Sequence, residues 1–125
     1  MQYLLDTHVL LWWLTEPKKL STKVQHIIAD KNSHVFISSV SIWEIAIKKD
    51  LGRLDIPVNI LSVLQTENIQ VLLLSAEEGL GIIDLPKIHN DPFDRILIAQ
   101  AKFKDMVFIT KDQKIIEFPI ITLRA

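Results

Sequence analysis

Five short and almost uninterrupted apolar runs constrain the fold of this chain more than any other feature of its sequence. The runs cover 2–6, 34–38, 69–74, 106–110 and 119–123, and segments with helical periodicity separate them. Strands that are apolar on both faces are typical of parallel sheets covered by helices on both sides. The sequence therefore predicts a three-layer α/β/α fold with a central, mostly parallel sheet, whose last, proline-bearing run forms an edge strand.

The segments between the runs predict helices with recognisable ends. Ser39 or Ser41 caps the third helix, and Gly52 ends it. Pro57 opens the fourth helix, and Asp91-Pro92 opens an almost wholly apolar sixth helix that ends near residue 104. The other predicted helices span 9–14, 21–30, 76–83 and 112–117.

Composition favours one globular domain that spans residues 1–125. Apolar residues make up 49% of the chain, charged residues 23%, and the formal net charge is −1. The chain therefore lacks the excess of basic residues with which a DNA-binding module contacts phosphates. It also has no cysteine, which excludes disulfides and thiolate metal sites. No apolar stretch is long enough to span a membrane and no signal peptide is recognisable, so we expect a cytoplasmic protein.

Two acidic residues follow predicted strands. Asp6 comes directly after the first run, and Asp112 lies two residues after the fourth. In open parallel sheets, ligands bind at the carboxyl ends of the strands, so both carboxylates are candidates for a shared site. Each residue alone is equally explained as a helix cap or a turn residue.

Glu44 lies in a helix that is apolar on most sides. Together with Ser41 and Lys48 it forms a polar stripe at i−3, i and i+4. A glutamate in these surroundings is poorly solvated unless it faces a cleft. The alternative is an ordinary surface ion pair between Glu44 and Lys48, which contributes only a few tenths of a kcal/mol.

The sixth predicted helix carries two acids in its first turn, Asp91 and Asp94. We expect Asp94 to be the ligand because it lies nearer the buried body of the helix, and Asp91 to cap the helix or support the site. The direct-ligand alternative for Asp91 stays open.

Gathered carboxylates repel one another, and a protein that gathers them usually supplies a cation. Carboxylate oxygens are hard ligands that select Mg²⁺ or Mn²⁺. A metal site of this kind is suited to phosphodiester hydrolysis, because the ion activates water and neutralises charge on the phosphate. We therefore predict a divalent-metal site, with Asp6 and Asp94 holding the principal ion and Glu44 and Asp112 completing the acidic cluster.

The chain resembles PIN-domain ribonucleases, and among them the VapC-type toxins of type II toxin–antitoxin pairs. The similarity runs in the right order over nearly the whole chain. The matching residues are Leu5-Asp6-Thr7-His8, Leu11-Trp12-Trp13, Ser38 to Ile45, Lys48, Gly52, Leu54, Asp91-Pro92-Phe93-Asp94-Arg95, Ile98 to Ala101, and Thr110-Lys111-Asp112.

This resemblance implies a single PIN-like nuclease domain that cleaves RNA. It implies a cytosolic, commonly dimeric endoribonuclease and an antitoxin whose C-terminal segment occupies the acidic groove. The family's metal-binding acids fall on Asp6, Glu44, Asp94 and Asp112. Its polar neighbours fall on Thr7, Ser39 and Thr110.

Other protein classes with strand-end acids fit this sequence less well. A response-regulator domain needs an acidic pair after the first strand and an aspartate after a middle strand, and the Asp-x-Asp of a dehalogenase-type phosphatase is also missing at Asp6. Two alternatives remain: a PIN-like binding or assembly module with little turnover, and a housekeeping RNA-processing nuclease.

Three kinds of residue near the acids could have either a functional or a purely structural role. His8 and Arg95 are adjacent to predicted ligands and could support the site. The tryptophans could stack nucleobases, but on apolar helices we expect core or interface positions for them. These are Trp12, Trp13 and Trp43.

Overall fold

A central parallel sheet organises the chain, as the apolar runs predict. The computed structural model describes residues 1–56, 59–87, 91–116, 118 and 120–125. Within these ranges the strands are β1 (Gln2–Leu5), β2 (His34–Ser38), β3 (Ile69–Leu72), β4 (Val107–Thr110) and β5 (Thr122–Arg124). The helices are α1 (Thr7–Thr15), α2 (Thr22–Ala29), α3 (Ser39–Asp50), α4 (Ile60–Thr66), α5 (Ala76–Leu80), α6 (Pro92–Phe103) and α7 (Gln113–Ile116), with 3₁₀ turns at Pro17–Lys19 and Gly81–Asp84.

The strand order is β3-β2-β1-β4-β5, and each neighbouring pair is parallel. Leu5 of β1 lies opposite Ile37 of β2 on one side and Ile109 of β4 on the other. The chain moves outward from β1 to β3 and then returns to place β4 on the other side of β1. The direction of winding therefore reverses between β1 and β4, which is where open α/β sheets bind ligands.

Each face of the sheet packs against its own hydrophobic core. Successive side chains point to opposite faces of a strand. Leu5 and Ile109 lie in the core that includes residues of α1 to α4. Leu4 and Phe108 lie in the other core, which includes residues of α6 and α7. The predicted three-layer α/β/α architecture is confirmed.

Several predicted boundaries are wrong in detail. Ser38, rather than Ser39 or Ser41, caps α3, because its Oγ accepts a hydrogen bond of 3.0 Å from the backbone N–H of Val40. The predicted helix over 76–83 ends as an α-helix at Leu80 and continues as a 3₁₀ turn. Position 57, the predicted start of the fourth helix, lies outside the described residues, and so does the proline of the last run.

The last run is an edge strand, as predicted, but it begins only at Thr122. In the part of the chain that the structure describes, no helix has the length and apolar character that a membrane span requires.

Candidate active site

Asp6 is the first residue after β1 and is 4% exposed. Its Oδ1 accepts a hydrogen bond of 3.2 Å from the backbone N–H of His8 and so caps α1. Its Oδ2 accepts a hydrogen bond of 2.8 Å from the hydroxyl of Thr110. The capping role therefore occupies only one carboxylate oxygen of Asp6, and the other is held by Thr110 at the end of β4.

Thr110 connects the ends of β1 and β4. Its side chain is fully buried, and its Oγ1 both donates to Asp6 and accepts a hydrogen bond of 3.0 Å from the backbone N–H of Asp112. Asp112 is half-buried, and its Oδ1 accepts from the backbone N–H of Lys114 at 2.9 Å. Asp112 thus has the turn role that was considered for it, and this role uses one of its carboxylate oxygens. Thr110 holds the turn next to Asp6 because its hydroxyl bonds to both residues.

A second buried hydroxyl pair joins α1 to α3. The Oγ1 of Thr7 donates to the Oγ of Ser41 at 2.8 Å, and both residues are buried. Ser41 lies one helical turn before Glu44, so this bond turns the polar stripe of α3 toward the end of β1. Ser41 is a positioning residue that sequence reasoning missed, although its place in the polar stripe was the available signal.

Glu44 is only 8% exposed and faces the site. Its Oε2 lies 3.1 Å from the Nζ of Lys48, so the ion pair considered from the sequence exists. Its Oε1 is buried and has no hydrogen-bond partner among the described residues. A buried carboxylate with one uncompensated oxygen is costly unless a further donor or a cation is supplied.

Electrostatics link Glu44 to Asp6. Burial raises the pKa of Asp6, the hydrogen bonds from Thr110 and His8 oppose the rise, and the nearby charge of Glu44 adds to it. Asp6 and Glu44 therefore form an acidic pair in which the charge of Glu44 disfavours ionisation of Asp6. A cation placed between the two carboxylates would remove that penalty.

The start of α6 carries the remaining predicted residues. Asp91 is exposed and caps the helix, accepting from the backbone N–H of Phe93 at 2.9 Å, as predicted for a capping role. Asp94 is half-buried in the first turn, and α6 packs against α3. Arg95 is buried, and its guanidinium donates at 2.8 Å to the carbonyls of Ile82 and Pro86. Arg95 thereby ties α6 to the segment before it.

Two other predicted positions have clear structural surroundings. The Oγ of Ser39 accepts a hydrogen bond of 3.1 Å from the backbone N–H of Leu74, which joins α3 to the segment after β3. Of the two positions expected for Trp43, core or interface, the core position is wrong, since Trp43 is 59% exposed and its ring lies 5.4 Å from that of Phe93. Because the polar stripe of α3 faces inward, Trp43 is turned outward. Trp12 and Trp13 are partly buried against the first core.

The structure brings Asp6 and Glu44 together with the hydroxyls of Thr7, Ser41 and Thr110. Across the described residues, no three acidic or histidine side chains are grouped closely enough to form a metal site. The four-acid cluster therefore stays a prediction. The donors that do meet are carboxylate and hydroxyl oxygens, which suit Mg²⁺ or Mn²⁺. The Oε1 of Glu44, which no described residue satisfies, is consistent with an oxygen that a cation would bind.

Fold and site together define a parallel α/β protein with a buried acidic pair at the point where the winding of its sheet reverses. Comparison with known proteins identifies the family to which a protein of this class belongs. The PIN domain family model matches residues 3–120, and the chain belongs to the PIN-domain family.

Individual relatives agree with this assignment. The chain is 28% identical over 115 residues to ribonuclease VapC22 of Mycobacterium tuberculosis, covering 90% of this chain and 88% of the relative. Among solved structures, VapBC2 from Rickettsia felis bound to a promoter DNA fragment matches with a TM-score of 0.74 at 17% identity, over 99% of this chain and 98% of the other.

Two further solved structures share the fold. VapBC from Salmonella typhimurium bound to DNA matches with a TM-score of 0.69 at 15% identity, over 99% of this chain and 98% of the other. A toxin–antitoxin complex from Klebsiella pneumoniae matches with a TM-score of 0.68 at 15% identity, over 97% and 95%.

Proposed function

We propose that this chain is a metal-dependent endoribonuclease and the toxin of a toxin–antitoxin pair. The observation that carries the proposal is the buried pair Asp6 and Glu44 at the switch point of a PIN domain, with one oxygen of Glu44 unsatisfied by any described residue. The relative in Mycobacterium tuberculosis is named a ribonuclease. The solved structures with the same fold are toxin–antitoxin assemblies.

In this proposal, four carboxylates hold Mg²⁺ or Mn²⁺. When bound, the ion supplies activation of a water molecule and neutralisation of charge on the scissile phosphate. The chain orients its acids through hydrogen bonds that the structure describes for two of them: Thr110 and the N–H of His8 fix Asp6, and the N–H of Lys114 fixes Asp112. The proposed ligands are Asp6, Glu44, Asp94 and Asp112.

Five residues are proposed to support the ligands. Thr7 holds the start of α1 against α3 through Ser41, and Thr110 holds the ends of β1 and β4 together. The remaining three anchor the helices that carry Glu44 and Asp94. The supporting set is Thr7, Ser39, Asp91, Arg95 and Thr110.

The proposed partners are an RNA substrate, a cognate antitoxin protein and a second copy of this chain. The proposed location is the cytoplasm, where RNA and an antitoxin would both be present. The family relationship supports the proposed partners and the proposed location. The DNA fragments in two of the similar structures are part of those assemblies and are not proposed as partners of this chain.

Cleavage of a mixed RNA pool by purified protein tests the nuclease. The reactions contain EDTA, Mg²⁺ or Mn²⁺, with wild type beside Asp6→Asn, Asp94→Asn and the control Glu67→Gln. Glu67 is exposed at the end of α4, so its variant loses one negative charge away from the site. We expect cleavage with either metal in wild type and control, and none in EDTA or in the two site variants. Metal-independent cleavage, or full activity of both site variants, would refute the proposal.

The toxin role needs a separate test, because a housekeeping nuclease would pass the first one. Expression of the chain alone should arrest growth, and co-expression of the adjacent gene product should relieve the arrest. An Asp6→Asn variant should be harmless when expressed at the same level. Normal growth with active nuclease would favour housekeeping RNA processing, and absence of both arrest and cleavage would favour a binding module.

A further inference from the structure

Lys48 holds a position that the proposed mechanism does not use. Its Nζ lies 3.1 Å from the Oε2 of Glu44, one helical turn away on α3. The side chain of Glu44 is 10% exposed and that of Lys48 is 37% exposed. The ammonium group therefore reaches a nearly buried carboxylate from the side that is open to solvent.

Glu44 and Lys48 also line a cleft of about 370 Å³ between α3 and the start of α6. Arg53 and Phe93 contribute to the same cleft. A lysine head group is carried on a flexible four-carbon stem. Lys48 can consequently leave Glu44 for the cleft through side-chain rotation, without any movement of the backbone.

The nearly buried carboxylate of Glu44 needs a positive charge beside it when no metal is bound. Glu44 lies beside the buried Asp6, and its negative charge disfavours ionisation of Asp6. Lys48 supplies such a charge in this structure. A divalent ion coordinated by Glu44 would meet the ammonium group at close range, where like charges repel.

We propose that Lys48 is the resident counter-ion of the metal-free site and competes with the divalent ion for Glu44. The inference rests on the proposed metal site. Lys48 is a positioning residue in this scheme: it neutralises Glu44 until the ion arrives, and it moves into the cleft as the ion enters. It thereby sets the ion concentration at which the site fills.

Mn²⁺ binding to the purified protein, measured by electron paramagnetic resonance, gives a readout independent of RNA cleavage. Lys48→Met keeps an apolar stem but removes the charge, so Mn²⁺ should bind on the order of tenfold more tightly. An unscreened Coulomb energy would give a larger change in affinity, but Lys48 is over a third exposed, so solvent screens its charge. Lys48→Arg keeps the charge and should bind Mn²⁺ as wild type does.

Thermal unfolding supplies a second readout with the opposite sign. In EDTA, Lys48→Met should melt below wild type, because Glu44 loses its partner in a nearly buried position. Saturating Mn²⁺ should reduce or reverse that difference, since the ion replaces the lysine and binds the variant more tightly.

Lys19→Met is the matched control. Lys19 also forms an ion pair, with Glu16 at 2.9 Å, but both side chains are more than half exposed. The control therefore makes the same change in net charge and loses a solvent-exposed pair of little value. Its Mn²⁺ affinity should equal that of wild type.

A double-mutant cycle assigns the effect to the Glu44–Lys48 pair. In a Glu44→Gln background, Lys48→Met should no longer tighten Mn²⁺ binding, because the competition for the carboxylate is gone. Equal Mn²⁺ affinity in wild type and Lys48→Met, with active wild type, would overturn the counter-ion role alone. A wild type that neither binds Mn²⁺ nor cleaves RNA would overturn the proposed function and this inference with it.

Discussion

Replacement of Thr110 by valine isolates the contact between β1 and β4 at the site. Valine has nearly the same shape and is well suited to a strand, so the fully buried side chain leaves no cavity. Two hydrogen bonds are lost: the one donated to Asp6 at 2.8 Å and the one accepted from the N–H of Asp112 at 3.0 Å. A hydrogen bond to a charged group contributes about 1.5–3 kcal/mol, and an ordinary one about 1 kcal/mol. Thr110→Val should therefore lower the free energy of unfolding by about 2–4 kcal/mol.

The loss should depend on pH in a defined direction. The Thr110 hydroxyl opposes the rise in the pKa of Asp6 that burial causes, so its removal raises that pKa further. An acid whose pKa is raised by folding destabilises the folded state as it ionises. The destabilisation by Thr110→Val should thus be greatest above the pKa of Asp6 and should shrink as the pH falls through it.

Urea denaturation at several pH values measures these effects in the presence of EDTA. Thr15→Val is the control, because the Thr15 hydroxyl donates to the carbonyl of Leu11 at 2.7 Å in an exposed position. That change should stay within about 0.5 kcal/mol of wild type. The reasoning is refuted if Thr110→Val is as stable as Thr15→Val at neutral pH.

Three further predictions concern the buried Asp6, the cap of α6 and the exposure of Trp43. Asp6→Asn should abolish metal-dependent cleavage, yet without metal at neutral pH the variant should be at least as stable as wild type. Any gain in stability should fall as the pH drops and wild-type Asp6 becomes protonated. A variant that is markedly less stable than wild type in EDTA would contradict this. Asp91→Ala should cost about 1 kcal/mol by urea denaturation through loss of the α6 cap, while Asp91→Asn should cost less; equal losses would argue against a capping role. Trp43→Ala should cost less than about 1 kcal/mol because the side chain is exposed, whereas Phe108→Ala in the core should cost about 3–5 kcal/mol; similar losses would mean that Trp43 is covered in solution.

The sequence predicted the sheet well because a strand buried on both faces leaves little freedom in residue choice. The run around Leu4 and Leu5 must be apolar at both positions, since each points into a different core. Strand-end acids then follow from topology, which is why the pattern of apolar runs was enough to single out Asp6. Its hydrogen-bond partner Thr110 was predicted through the family resemblance alone, and the pairing of β1 with β4 supplies the physical reason.

The orientation of α3 was harder to predict. Three serines at 38, 39 and 41 all have the chemistry of a cap, and sequence alone does not choose among them. Periodicity identified the stripe of Ser41, Glu44 and Lys48 but could not decide whether it faced solvent or the site. The buried bond from Thr7 to Ser41 decides it, and this long-range contact also sends Trp43 outward. Contacts of this kind depend on tertiary structure and have no local signal.

The hydrogen bond between Thr110 and Asp6 joins residues that are 104 positions apart. At a synthesis rate of roughly 5–20 residues per second, the ribosome makes β4 some 5–20 s after β1. Throughout that interval the nascent chain has Asp6 but lacks the strand that fixes it. The acidic site can therefore be completed only after nearly the whole domain has been translated and folded. A chain that ends before β4 lacks the hydrogen bond that fixes Asp6.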